Sequence, residues 1–476
     1  MIFTSYTYLA FLLAAFVLHW LVPSSWRKGL IIVASYVFYC SWQWQFGFLL
    51  LFVSVFNWWY AKAILSKRPT LPRLFAGIAV NLAPLIYFKY TVFLVSNIVA
   101  VGGWMGLTWR PGPINIIVPL GISFFTFQGV AYLVDVATGD EPFDNIVDFL
   151  LFKAFWPQLI AGPIIRFHEI REQIETPRTL AYGDVADGCY RILRGFFKKV
   201  VLADNIAPVV DAVFRSNSPP HALDCAVGIL GFGLQIYFDF SAYSEIAIGS
   251  ARLFGYRFPE NFAWPYASAS PQEFWSRWHM TLSRWIRDYI FTPLNFAARH
   301  RPWLGHVWLI LAMTLCGLWH KAEWTLVIWG AWHGVLLVLN QTVLRSFFPR
   351  PAPGPAPLIT HGRLPGIAVT LLTVGIGWLL FRATSLEQCG VFLKSLATLH
   401  GGFRPSTIRE NNVLLVAIIA LALAALTVIR SRGRLGFLID SDRPVCVWLR
   451  AVVYTVLILA VIVFDQEAKA FVYFQF

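Results

Sequence analysis

Long apolar runs separated by short polar loops dominate the chain. They fall near residues 4–22, 29–42, 44–60, 75–99, 115–136, 147–165, 224–248, 303–319, 323–342, 365–381, 413–429 and 445–464. Their length and scarcity of charge predict membrane-spanning helices. The runs at 29–42 and 147–165 are short for a full span. The second contains Pro157 and the turn Ala161-Gly162-Pro163, which predicts a re-entrant or broken helix. Between 166 and 223 the pattern changes, and charges mix with apolar residues at helical spacing. That stretch reads as cytoplasmic amphipathic helices lying on the membrane surface or sealing a cavity. The whole reads as one membrane domain, 1–476. The segment 445–476 supplies a last span and an external C-terminal tail. No inverted internal repeat of the transporter kind is visible.

Composition agrees. The 476 residues are 58% hydrophobic and 13% charged, against about 45–50% and about 25% in soluble domains. So apolar a chain cannot cover itself with polar surface and must be solvated by lipid. At roughly 20 residues per span, it could hold about 10–13 helices. The net charge of +13 would suit a nucleic-acid binder, but the basic residues cluster in short loops, as the positive-inside rule requires. Arg27 and Lys28, Lys62 to Arg73, Arg345 to Arg363 and Arg430 to Arg450 mark the cytoplasmic side, which leaves both termini outside. The six cysteines form no CxxC pair and read as buried, inert thiols.

Ionisable groups inside hydrocarbon are costly and so become functional candidates. In QEFWSRWHMTLSRWIRDYIF, residues 272–291, helical spacing puts Arg277, Arg284 and Asp288 on one face. His279 falls on another, with Trp275 and Ser283 at four-residue steps and Trp278 beside it. His320 ends one apolar run beside Gly317, and His333 sits within the next. Thirteen residues separate them, about 220° around an ideal helix, and His333 reads as a hydrogen-bonded structural residue. Asp239 and Glu245, in GLQIYFDFSAYSEIAIG, need partners if buried. They read as structural, as does Asp135. The ending FVYFQF, 471–476, is apolar where the chain should stay in water. It is either an interfacial aromatic anchor or a tail that inserts into an apolar channel and carries the Tyr473 hydroxyl with it.

These residues carry a resemblance. IVASYVFYCSW, NLAPLIYFKY, VPLGISFFTFQGVAYLVDV, FWPQLIAGPIIRF, GFFKKVVLADN, QIYFDFSAYSEIAIG, PQEFWSRWHMTLSRWIRDYIFTPL and GLWHKAEWTLVIWGAWHG resemble the membrane-bound O-acyltransferase (MBOAT) family. The likeness is to its bacterial branch, which serves alginate acetylation and D-alanine transfer to teichoic acid. The resemblance implies an all-α polytopic membrane fold: a ring of tilted helices around a central funnel, with re-entrant and amphipathic helices. The family's invariant histidine falls on His320 and its second polar position on His279. Lys321 and Glu323 depart from the usual WHGA. FVYFQF resembles an aromatic motif of envelope acylation systems whose tyrosine receives the acyl group.

The resemblance implies an O-acyltransferase of the bacterial cytoplasmic (inner) membrane acting on a cell-envelope polysaccharide. Its acyl donor is acyl-CoA, in the first place acetyl-CoA; no bound cofactor and no metal are implied. His320 would be the general base, and His279 would position the carbonyl or stabilise developing charge. Trp275, Trp278, Ser283 and Trp319 would line the substrate. The attacking hydroxyl is Tyr473 or a glycan hydroxyl taken directly in the funnel. In the Tyr473 case the acyl group passes to an extracytoplasmic SGNH-like O-acyltransferase. A transporter of polysaccharide or lipid and a recruiting scaffold are the rival classes.

Overall fold

A computed structural model describes residues 3–109, 111–216, 218–343, 359–431, 444–465 and 471. The described residues are helical, with no strand among them. Seven helices are long and apolar enough to cross a membrane: Gln45–Leu65, Leu71–Trp104, Ala222–Leu253, Pro302–His320, His361–Arg382, Glu410–Ser431 and Pro444–Phe464. Tyr6–Leu21 and Ile122–Thr138 are apolar but shorter. The protein is therefore an all-α, multi-pass membrane protein.

Contacts group the chain into two compact units: residues 1–192 with 246–259, and 193–245 with 260–476. In the first unit, the short apolar run at 147–165 is broken, as its prolines imply. Ile146–Ala154 stops at Phe155, and a single turn, Trp156–Leu159, follows. The run expected at 115–136 is helical only over Ile122–Thr138, and Gly121, at φ +71°, turns the chain into it. Only glycine adopts that conformation without cost. Leu71–Trp104 runs through Pro84, and a wider π-helical turn, Ile86–Tyr90, follows the proline. Asn57 and Asn81 exchange side-chain hydrogen bonds of 2.9 and 2.8 Å in this unit's interior. Polar pairs of this kind tie helices together where lipid provides no hydrophobic drive.

The stretch 166–223 is helical and amphipathic as expected: Phe167–Glu175, Tyr182–Phe196 and Asp204–Phe214, with a π-helical stretch Phe197–Ala203 before the last. On Phe167–Glu175 the buried residues are Phe167, Ile170 and Ile174, an apolar stripe at helical spacing. The stretch 383–411 contains the helix Leu386–Ala397, started by Ser385, whose hydroxyl accepts from Gln388 N–H.

In the second unit, Pro302–His320 and Trp324–Thr342 form a tight antiparallel hairpin. Glycines set its closeness. A Cβ on Gly317 would lie 2.0 Å from Leu326 O, and one on Gly330 2.2 Å from Met313 O. Small residues that let backbones touch are the usual device for packing helices in lipid. The turn at 321–323 is fastened by an ion pair of Lys321 with Glu323 at 2.8 Å, the two residues that depart from WHGA. Its consequence is to place His320 at the end of a helix held rigidly against its neighbour.

Candidate functional site

The segment 272–291 is not one helix. Pro271–Arg277 ends, the chain turns at Trp278 and His279, and Met280–Ile286 begins. His279 sits at φ +40°, a left-handed conformation that is uncommon for a residue with a Cβ. Such strain persists only where the surroundings fix it, and it gathers at functional sites. The fixing is visible. Residues 261–263 pair with the break through Met280 N–H to Asn261 O and Ala263 N–H to Arg277 O, both 2.9 Å. Glu273 anchors the preceding turn: its carboxylate accepts from Arg363 at 2.6 and 2.7 Å, from Arg277 at 2.9 Å and from Ala269 N–H at 2.9 Å. Burial raises a carboxyl pKa, but the arginines and the amide outweigh it and hold Glu273 below the usual range.

The break overturns the face expected from a continuous helix. Trp275 does not lie beside His279. It packs edge-on against His333, at 5.3 Å between ring centroids, and donates its indole N–H to His333 Nδ1 at 3.4 Å. His333 is thus the hydrogen-bonded residue expected of it. Trp278 lies among Phe262, Phe274 and Trp378. Ser283 donates its hydroxyl to Trp278 O at 3.2 Å.

His279 is 1% exposed and His320 7%. Trp319 lies between them, 6.3 Å from the His279 ring and 4.9 Å from the His320 ring. Trp329 and Phe381 complete the cage around His320, each at 5.3 Å and edge-on. Trp329 also touches His333 at 4.9 Å, so the two histidines of the hairpin meet one indole although they stand on different helices. The cage continues through Trp378, 5.9 Å from Phe381, into an apolar cavity of 560 Å³ lined by Gly233, Tyr266, Leu371, Trp378, Leu423 and Thr427 among others.

Sequence reasoning missed Asn261, which is fully buried. Its Oδ1 accepts from Thr281 N–H at 3.2 Å, from Thr281 Oγ1–H at 2.9 Å and from His279 Nδ1–H at 3.0 Å. Its Nδ2–H donates to Ser244 Oγ at 3.2 Å. The backbone amide of Thr281 can only donate, so the oxygen of Asn261 must face it, and His279 must carry its proton on Nδ1. Nε2 of His279 is buried and has no hydrogen-bond partner among the described residues. Burial pushes this imidazole down to about 3, so it is neutral at ordinary pH.

The buried acids have the partners expected of them. Asp239 meets Lys199 at 2.8 Å, each side chain being 1% exposed, and Lys199 also reaches Asp204 at 2.9 Å. Glu245 pairs with Arg194 and, at 3.5 Å, with Lys198. All six cysteines are free; Cys225, Cys316, Cys389 and Cys446 are buried, whereas Cys189 is exposed and Cys40 intermediate. Tyr473 lies outside the described residues. Phe471 does not: it is fully buried, edge-on to Tyr243 at 5.1 Å, with Lys199 Nζ 4.7 Å above its ring.

The chain matches the family model of MBOAT, the membrane-bound O-acyltransferase family, over residues 144–357. It is similar to the probable alginate O-acetylase AlgI of Azotobacter vinelandii, at 39% identity over 81% of this chain and 76% of that protein. It is similar to the peptidoglycan O-acetyltransferase of Helicobacter pylori, at 32% identity over 82% of this chain and 77% of that protein. A teichoic acid D-alanyltransferase of Streptococcus thermophilus is 32% identical over 48% of this chain and 58% of its own length. With relatives this similar along most of both chains, and a membrane fold that buries two histidines in one aromatic cage, the protein belongs to the membrane-bound O-acyltransferase family and is an O-acyltransferase.

Proposed function

We propose that this protein, in the bacterial inner membrane, transfers an acetyl group from cytoplasmic acetyl-CoA to the hydroxyl of Tyr473. An SGNH-like transferase outside the membrane then moves it to a cell-envelope polysaccharide. The chain is read as a single catalytic membrane domain, with the tail after the last span on the outer side; the amphipathic stretch 166–223 is read as starting at the cytoplasmic surface and reaching into the membrane interior, where its Lys199 meets Phe471 of that tail. The relatives named for alginate, peptidoglycan and teichoic acid support an envelope polymer as the final acceptor.

Acyl transfer from a thioester to a hydroxyl needs a base for the hydroxyl proton and a group serving the reacting carbonyl and the leaving sulfur. The buried pair His320 and His279 supplies two imidazoles. On the family resemblance His320 is the base and His279 the second group, with Trp275, Trp278, Ser283 and Trp319 shaping the substrate's surroundings. The observation that carries the tyrosine relay is the burial of Phe471, two residues before Tyr473. Its partner Tyr243 stands on Ala222–Leu253, as do Phe240, 4.7 Å from the His279 ring, and Ser244, bonded to Asn261. Positions 240, 243 and 244 occupy adjoining faces of a helix. Phe471 therefore packs on the helix that also supports His279, which supports the relay reading.

The test is acetylation of the purified protein by labelled acetyl-CoA. His320→Ala should abolish it with the protein still in the membrane, and full activity would refute the assignment. Tyr473→Phe removes one oxygen; polymer acetylation that persists in this variant would favour direct transfer to the glycan.

A further inference from the structure

Lys199, Asp239 and Asp204 form a charged triad in the interior of a membrane protein, and stability is a poor reason for it. The ammonium lies 2.8 Å from Asp239 and 2.9 Å from Asp204. Asp239 stands in the middle of Ala222–Leu253, a helix long and apolar enough to cross a membrane. A buried ion pair contributes little beyond well-packed apolar residues of the same volume, and ionisable groups at that depth are functional candidates. The backbone around Lys199 points the same way. It belongs to the π-helical stretch Phe197–Ala203, and such widened turns gather at functional sites.

The triad faces an aromatic ring from the far end of the chain. Lys199 Nζ stands over the Phe471 ring, 4.7 Å from its centroid, and Tyr243 meets the same ring at right angles at 5.1 Å. Phe471 is fully buried. The face of an aromatic ring carries partial negative charge and attracts a cation, most strongly where water is excluded. The two carboxylates fix the ammonium, so it meets the ring without having to be ordered first. An aliphatic side chain at 471 could fill much of the same space but would present no such face.

We propose that Lys199 is a positioning residue for the acyl-accepting tail. Its ammonium, fixed by Asp239 and Asp204, selects an aromatic ring at position 471 and so holds the chain two residues before Tyr473. The inference rests on the relay reading above and names the group that docks the tail. No bond is made or broken at Lys199. Its contribution is the orientation of the segment that carries the accepting hydroxyl, worth about 2–30-fold in transfer rate if a desolvated cation–π contact is lost.

The experiment measures the rate of ester formation on Tyr473 in the full-length purified protein with labelled acetyl-CoA. Position 471 carries phenylalanine, its 4-fluoro and pentafluoro analogues, or leucine. Fluorine keeps the ring's shape and drains negative charge from its face. Labelling should fall stepwise along the fluorine series, by roughly 2–30-fold at pentafluorophenylalanine and at Phe471→Leu, with KM for acetyl-CoA unchanged. The same series is repeated in Lys199→Met/Asp239→Leu, which removes the cation together with the carboxylate it would strand. There the fluorine trend should vanish. Equal labelling across the series in the otherwise unaltered protein overturns the proposal, and so does a trend that survives without the cation. The unaltered-background series decides by itself if the double variant does not fold. An unlabelled Tyr473 in the wild type would instead overturn the relay reading, and melting temperatures along the fluorine series would still test the contact between Lys199 and the ring.

Discussion

Lys199 offers a severe test of how the interior is held. Its ammonium is 2.8 Å from Asp239 and 2.9 Å from Asp204, with Lys199 and Asp239 both 1% exposed. At 2.8 Å and an effective dielectric of about 20, one such pair attracts by roughly 6 kcal/mol. Removing both charges from water offsets most of that, so the pair adds little over apolar residues of the same size. Breaking it is different. Lys199→Met keeps the length of the side chain and strands Asp239 without its cation, at a cost of about 3–5 kcal/mol. Burial lowers a lysine pKa, yet the two carboxylates outweigh it and hold Lys199 above its ordinary value, so the ammonium persists at neutral pH. The assay is thermal unfolding in detergent of Lys199→Met, Asp239→Leu and the double variant. Lys199→Met should destabilise most, Asp239→Leu less because Asp204 still holds the ammonium, and the double variant should lose less than the sum of the two single losses. Singles that melt like the wild type, or a double variant as unstable as the sum of the singles, would refute the reasoning.

Other expectations follow from close contacts and ion pairs. Gly317→Ala would press a methyl group to within 2.0 Å of Leu326 O, costing about 1–3 kcal/mol and displacing His320, one turn away. Gly29→Ala, with nothing within 4 Å of its Cβ, should leave melting unchanged or raise it; equal effects of the two changes in a melting assay would contradict the hairpin packing. Glu273 has a lowered pKa in the fold, so its contribution is present above the unfolded carboxyl pKa and disappears as pH falls through the folded one. Glu273→Gln should cost stability at neutral pH and flatten that acid dependence, as read from melting temperature against pH. Phe471→Ala should reduce labelling of Tyr473 more than it reduces stability; labelling at the wild-type rate would show the anchor to be idle.

Most of the spans were legible because apolar length alone specifies them: Glu410–Ser431 and Pro444–Phe464 match their runs within three residues. The partners of Asp239 and Glu245 were legible as a requirement, since a buried charge needs a counter-charge, but not as residues. Lys199 lies 40 residues from Asp239, and helical periodicity carries no such information. The site was half legible. The family motif pointed to His320 and His279, yet periodicity made 272–291 one helix and put Trp275 on the wrong side. The break at His279 depends on pairing with residues 261–263, a contact invisible along the chain. Asn261 was missed for the same reason. Its amide acts through three hydrogen bonds that exist only once the break has formed.

The central claim is acyl transfer through the buried imidazole pair onto the chain's own tail. The most direct measurement is the mass of the C-terminal peptide after the purified protein is incubated with acetyl-CoA. The account predicts one acetyl ester on Tyr473 in the wild type and none in His320→Ala or His279→Ala. An unmodified wild-type peptide, or an ester that still forms without either histidine, would contradict it.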